Sequence, residues 1–137
     1  MAATTLPPHI LVIDDDPDIL RLYTELLTDE GYLVTVAMMP ATSLAEIHEA
    51  RPDLIVLNLL AAHRERGMDV LELLKGDPLT RFTPVLMCSG DSRRLQALGE
   101  QLRAWDCGVL HKPFDIDDLV AAVRVGLAKG TAALVAA

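Results

Sequence analysis

Four places in this chain set polar or charged groups directly after short apolar runs. Asp14, Asp15 and Asp16 follow residues 9–13, and Asn58 ends residues 53–58. Ser89-Gly90 follows residues 85–88, and Lys112-Pro113 follows residues 109–111. Near-continuous apolar runs bounded by turn residues read as strands buried on both faces of a parallel sheet. In open α/β sheets the ligand sits beyond the carboxyl ends of the strands. Two carboxylates, an amide, a hydroxyl and an ammonium are therefore expected to share one crevice. Carboxylates grouped with a lysine suit a hard cation together with phosphate oxygens. Taken alone, the aspartate run also fits a solvated helix start, where acidic residues complement the dipole. The matching positions of Ser89 and Lys112 weigh against that plainer reading.

The elements that must position these groups alternate along the chain. Pro17 suits the first turn of a helix, Ile19, Leu20, Tyr23, Leu26 and Leu27 follow the helical period, and Gly31 closes it. Residues 33–37 read as a second strand, and 41–50 as a second helix ended before Pro52. After the third strand, 53–58, comes a polar loop, 61–67, and a helix over 68–75. Gly76-Asp77-Pro78 is turn chemistry. Strand four, 85–88, precedes a fourth helix marked by Leu95, Leu98, Leu102 and Trp105. Strand five, 109–111, precedes a fifth helix marked by Ile116, Leu119, Val120, Val123 and Leu127. Five strand–helix alternations predict a parallel sheet with helices on both faces, its strand ends gathered on one edge by right-handed crossovers.

Composition narrows the function classes. A chain of 137 residues suits one domain with its own core, and its net charge of −8 argues against nucleic acid or an anionic membrane as partner. No apolar run approaches the roughly 20 residues of a membrane span, and the start lacks a signal-peptide pattern. Cys88 and Cys107 are too few for a disulfide framework, and strand geometry sets them more than about 10 Å apart. Two reduced thiols point to the cytoplasm.

The motifs together resemble the receiver domain of two-component response regulators. They are Ile10-Leu-Val-Ile-Asp14-Asp15-Asp16-Pro17, Pro52-Asp53-Leu-Ile-Val-Leu57, Gly67-Met-Asp-Val-Leu-Glu-Leu-Leu74, Pro84-Val-Leu-Met-Cys-Ser89-Gly90 and Lys112-Pro113-Phe114. The resemblance implies a CheY-like, flavodoxin-like, doubly wound α/β fold: five parallel strands in the order 2-1-3-4-5 and five helices. It places a flexible arm at 1–8, the receiver domain at 9–128 and a tail at 129–137. By the same resemblance Asp14 and Asp15 match the acidic pair that holds Mg²⁺, and Leu60 the residue whose carbonyl ligates it. Ser89 matches the hydroxyl that reports the phosphoryl group, and Lys112 the lysine that pairs with phosphoryl oxygen. Implied partners are a histidine kinase, another regulator or an output protein. A homodimer through the fourth helix, fifth strand and fifth helix is also implied.

Three positions depart from that pattern. Asn58 occupies the place of the phosphoacceptor aspartate. Val109 stands at the switch position, usually Tyr or Phe. The loop from Leu59 to Arg66 has no proline. An aspartyl nucleophile must be an anion, and an amide cannot form an acyl phosphate while its nitrogen remains. Asp14, Asp15 and Lys112 leave a formal charge of −1 where an aspartate at 58 would give −2, so Mg²⁺ binding is expected to be weak or absent. Lys112 is then free to pair with Asp14, Asp15 or the Asn58 oxygen. The reading is a pseudo-receiver, not an enzyme, acting through protein contacts. The alternative is a conventional phosphoacceptor that uses deamidated Asn58 or another acceptor. Asp53 lies about 16 Å back along its strand, Asp91 sits on a different loop, and His63 reads as a loop histidine. His111 is expected to point away from the crevice.

Overall fold

The computed structural model describes residues 6–38, 44–58 and 64–136; for 64–67 and 131–136 it describes the backbone alone. One sheet of five parallel strands has the expected order β2-β1-β3-β4-β5. The strands are β1 His9–Asp14, β2 Leu33–Met38, β3 Leu54–Asn58, β4 Val85–Ser89 and β5 Gly108–His111. The helices are α1 Pro17–Asp29, α2 Leu44–Ala50, α3 Arg64–Gly76, α4 Ser92–Ala97, α5 Gly99–Ala104 and α6 Ile116–Ala136.

The pattern of side chains explains the layers. Every residue of β3 and β4 is buried, as strands covered on both faces must be. Alternate residues feed two separate cores. Leu11, Ile13, Ile55, Leu57 and Met87 pack with Ile47 of α2, Leu71 and Leu74 of α3, Leu95 of α4 and Leu102 of α5. Ile10, Val12, Leu54, Val56 and Cys88 pack with Leu20, Tyr23 and Leu27 of α1 and Leu119 and Val123 of α6. Cys88 and Cys107 belong to opposite cores and are free thiols, as their spacing suggested.

Local chemistry sets the start of α1, directly after the aspartate run. Asp16 caps it, its carboxylate accepting from the Asp18 N–H at 2.9 Å, and Pro17 fills the first turn. At the other end Gly31 takes φ +92°, a conformation glycine adopts without a Cβ penalty.

Strands β1, β2, β4 and β5 are each one residue longer than the sequence expectation, and four other elements differ from it. The third strand begins at Leu54, because Asp53 turns its carboxylate back to the His9 N–H at 2.7 Å. The third helix begins at Arg64, four residues early, since Arg and Glu are good helix formers. The expected fourth helix is two short ones, α4 and α5, which abut at Leu98 (φ −92°, ψ 1°) and Gly99, so the described residues form six helices where five were expected. Glycine is poor inside a helix, and the apolar stripe of Leu95, Leu98 and Leu102 runs across the break without revealing it. The fifth helix, α6, runs past Leu127 to Ala136 through the expected tail, because alanine favours helix and Gly130 alone does not stop it. Residues 1–5, 39–43, 59–63 and 137, with Met39 and the expected start of the second helix among them, lie outside the described residues.

One close approach fixes how α6 sits on the sheet. A Cβ on Gly126 would lie 2.7 Å from Cδ1 of the fully buried Leu54. Gly126→Val should therefore cost roughly 1–3 kcal/mol by overpacking, read as a lower urea midpoint with an unchanged slope.

Candidate functional site

The register of the sheet assembles the crevice. Ile13 on β1 lies level with Leu57 on β3, which sets Asp14 beside Asn58 at the strand ends. Asn58 pairs with Cys88 on β4, and Ser89 pairs with His111 on β5, just before Lys112. Asp14 and Asn58 are fully buried and Ser89 nearly so. Asp15 and Lys112 are half-buried, and the exposed edge residue His111 is level with Ser89.

A buried carboxylate needs donors, and Asp14 has three. Its Oδ1 accepts from the backbone N–H groups of Asp15 (2.6 Å) and Asp16 (3.3 Å). Its Oδ2 accepts from Asn58 Nδ2 at 2.7 Å. Burial raises the Asp14 carboxyl above its ordinary value of 3.8; the Asp15 and Asp16 backbone bonds and the charge of Lys112 pull it back in part.

Asn58 is anchored from the other side as well. Its Oδ1 accepts from the Tyr23 hydroxyl of α1 at 3.3 Å, a long hydrogen bond. Burial, then the neighbouring Cys88 and Asp14, push the Tyr23 hydroxyl well above the usual phenol range, so it keeps its proton. Burial likewise pushes the Cys88 thiol up to about 12, against smaller opposite effects from Tyr23 and Lys112. The sequence expectation offered Lys112 three partners: Asp14, Asp15 or the Asn58 oxygen. The structure gives the Asn58 oxygen to Tyr23, and Lys112 acts on Asp14 through its charge. Tyr23 was hidden in the apolar stripe of α1. The signal that could have found it is that a buried tyrosine usually carries its hydroxyl to a partner.

The other candidates separate cleanly. The Ser89 hydroxyl accepts from the Asp91 N–H at 3.0 Å, and the Ser89 carbonyl accepts from the Lys112 N–H at 2.8 Å. Asp91 spends its carboxylate capping α4, accepting from the Arg94 N–H at 3.0 Å. Asp53 sits at the far end of β3, bonded to His9. Val109 on β5 is 37% exposed and borders a cavity of about 310 Å³ between β5 and α6. Leu60 and His63 lie outside the described residues. No helix among the described residues is long and apolar enough to cross a membrane.

A five-stranded, doubly wound parallel sheet with acidic, hydroxyl and ammonium groups at its carboxyl edge defines the class. The family model for the response regulator receiver domain matches residues 10–124, and the chain belongs to that family. It is 38% identical over 113 residues to the nitrogen assimilation regulatory protein NtrX of Azorhizobium caulinodans, covering 81% of this chain and 24% of that one. It is 36% identical over 127 residues to the transcriptional regulatory protein KdpE of Mycobacterium tuberculosis, covering 90% and 53%. The chain thus spans about a quarter to a half of these relatives' length. Among solved structures, NtrX from Brucella abortus superposes with a TM-score of 0.78 at 28% identity, covering 91% of this chain and 28% of that one. A CheY-like receiver domain protein from Methanospirillum hungatei superposes with a TM-score of 0.77 at 25% identity, covering 91% and 97%.

The raised Asp14 carboxyl gives a signed pH effect. Stability from this group is full below 3.8 and is lost as pH rises through the higher folded value. Asp14→Asn removes that loss. With divalent cations absent, its urea midpoint relative to wild type should improve steadily as pH is raised from 3.8 toward 7.

Proposed function

We propose that this receiver domain signals by protein contact without being phosphorylated. The carrying observation is the bond from Asn58 Nδ2 to Asp14 Oδ2 at the carboxyl end of β3. In a chain of this family that position corresponds to the phosphoacceptor aspartate, and here it carries an amide. The amide is neutral and points a donor into the crevice, so it offers neither a nucleophile nor an anionic ligand.

Receiver domains typically bind Mg²⁺ at their acidic site, with Asp14, Asp15 and the Leu60 carbonyl as the equivalents here. The donor set fits the ion poorly. Hard cations of this kind take oxygen ligands, whereas both Asp14 oxygens already accept N–H groups, one of them from Asn58. The Asp14 carboxyl is moreover raised by burial, which disfavours its charged form.

Ser89, with its hydroxyl on the Asp91 N–H, and Lys112 are the remaining equivalents of a phosphoryl pocket. Val109 takes the place of the aromatic ring that reports occupancy, and it is too short to swing between an outer and an inner position. The face built from α4, α5, β5 and α6 is our candidate docking surface for a histidine kinase, another regulator, an output protein or a second copy. Nucleic acid is a poorer partner for a chain of net charge −8. The alternative acceptors are poorly placed, Asp53 at the opposite end of β3 and Asp91 committed to a helix cap.

Intact-mass analysis after incubation with acetyl phosphate and Mg²⁺ tests the reading. No phosphoryl gain is expected for wild type. A stable adduct that disappears when Asn58 is replaced by Ala would overturn it. A gain of one mass unit before phosphoryl addition would instead support deamidation to an ordinary acceptor.

A further inference from the structure

Tyr23 belongs to none of the family motifs read above, yet its hydroxyl reaches from α1 across the lower core to the residue at the centre of the crevice. It is 3% exposed, its ring stands 6.4 Å from Phe114, and its hydroxyl donates to Asn58 Oδ1. We propose that Tyr23 is a positioning residue that holds the Asn58 amide in one orientation and thereby keeps the crevice closed to a divalent cation. This rests on the phosphorylation-independent reading above and adds the device that maintains it.

The argument is one of donors and acceptors. A primary amide has an acceptor end and a donor end of nearly the same shape. Rotated one way, Asn58 would present its oxygen toward Asp14, adding an oxygen ligand beside the two aspartates. Rotated the other way, it presents N–H, which bonds Asp14 and offers a cation nothing. Asp14 Oδ2 accepts from Asn58 Nδ2 at 2.7 Å, which favours the second orientation. A cation binding at Asp14 would remove that preference by competing for the same carboxylate. Tyr23 supplies a preference that a cation at Asp14 does not remove. It donates to Oδ1 from the core side. Turning the amide would make its N–H the donor and the Tyr23 oxygen the acceptor, which obliges the hydroxyl to turn its proton away from Asn58 into the buried core. A rotation toward a metal-ready arrangement therefore costs the bond to Asp14 and takes from the Tyr23 proton its acceptor on Asn58.

The test uses the full chain with Tyr23→Phe, which removes the hydroxyl and keeps the ring in the core. Asn58 is the single asparagine of the sequence, and the only glutamines, Gln96 and Gln101, are exposed, so its side-chain amide resonances are readily assigned. In wild type the Asn58 side-chain N–H signals should exchange slowly with deuterated water and stay unmoved by millimolar Mg²⁺. In Tyr23→Phe they should shift and exchange faster, and Mg²⁺ should move them saturably. Loss of one neutral hydrogen bond corresponds to a rise in apparent Mg²⁺ affinity of about twofold to tenfold; the long 3.3 Å contact favours the lower end. Identical amide signals and identical Mg²⁺ response in the two proteins would overturn the inference. If Tyr23→Phe does not fold, wild type alone decides. A slowly exchanging Tyr23 hydroxyl proton close to the Asn58 amide supports the inference, and its absence overturns it. Neither outcome depends on phosphoryl transfer, so the mass experiment above can fail or succeed separately.

Discussion

A carboxylate with no exposure at the end of a buried strand must be met by a cation, by a proton or by several N–H donors. Asp14 is in that position, and the rest of the site follows from how it is met. Two of its donors are backbone groups of the next two residues, which come with the turn into α1. The third is Asn58 at 2.7 Å. A carboxylate in place of that amide would bring two like charges to hydrogen-bond distance, which only a shared proton or a bound cation relieves. The amide removes the second charge and supplies a donor, leaving one carboxylate that burial still raises.

The sheet makes this a local problem with few solutions. β1 and β3 are inner strands, covered by α1 and α6 on one face and by α2 to α5 on the other, and Asp14 and Asn58 at their ends have no exposed surface. Among the described residues, the partners of Asp14 and Asn58 come from the strand ends and from a helix packed against them. β1 supplies its own following backbone, β3 supplies the amide, and α1 supplies Tyr23. Lys112, directly after β5, contributes through charge, lowering the Asp14 carboxyl without displacing Tyr23.

Much of this arrangement is legible in the residues themselves, and the exceptions share a cause. Asp14, Asn58, Ser89 and Lys112 each stop an apolar run, so the alternation of strands and helices brings them to one edge before any coordinate is known. The strand order came from the family likeness, because alternation alone fixes direction but not neighbours. Tyr23 was invisible because the helical period sorts residues by face and takes no account of what hangs from a ring. The division between α4 and α5 was invisible for a related reason: Leu95, Leu98 and Leu102 keep one stripe across it. The early start of α3 shows propensity prevailing over an impression of charge, since Arg64, Glu65 and Arg66 read as loop only because they are polar. Leu60 lies where sequence likeness speaks and the structure does not.

The energetic logic of a switch bears on the functional reading. A ligand moves an equilibrium between two arrangements only by the difference in its affinity for them. In a receiver of the usual kind the unmodified crevice holds uncompensated negative charge, and that unpaid cost is what metal and phosphoryl group relieve when they arrive. Here part of that cost is met by hydrogen bonds that need no visitor, from Asn58 to Asp14 and from Tyr23 to Asn58, although burial still holds the Asp14 carboxyl above its ordinary value. A visitor would first have to break them. Under the proposed reading, the same bonds that let the core close around a bare strand end also leave the crevice little with which to bias the distant face. On that reading the partner surface keeps one shape, and Val109, a residue with no ring to reposition, holds the proposed switch position.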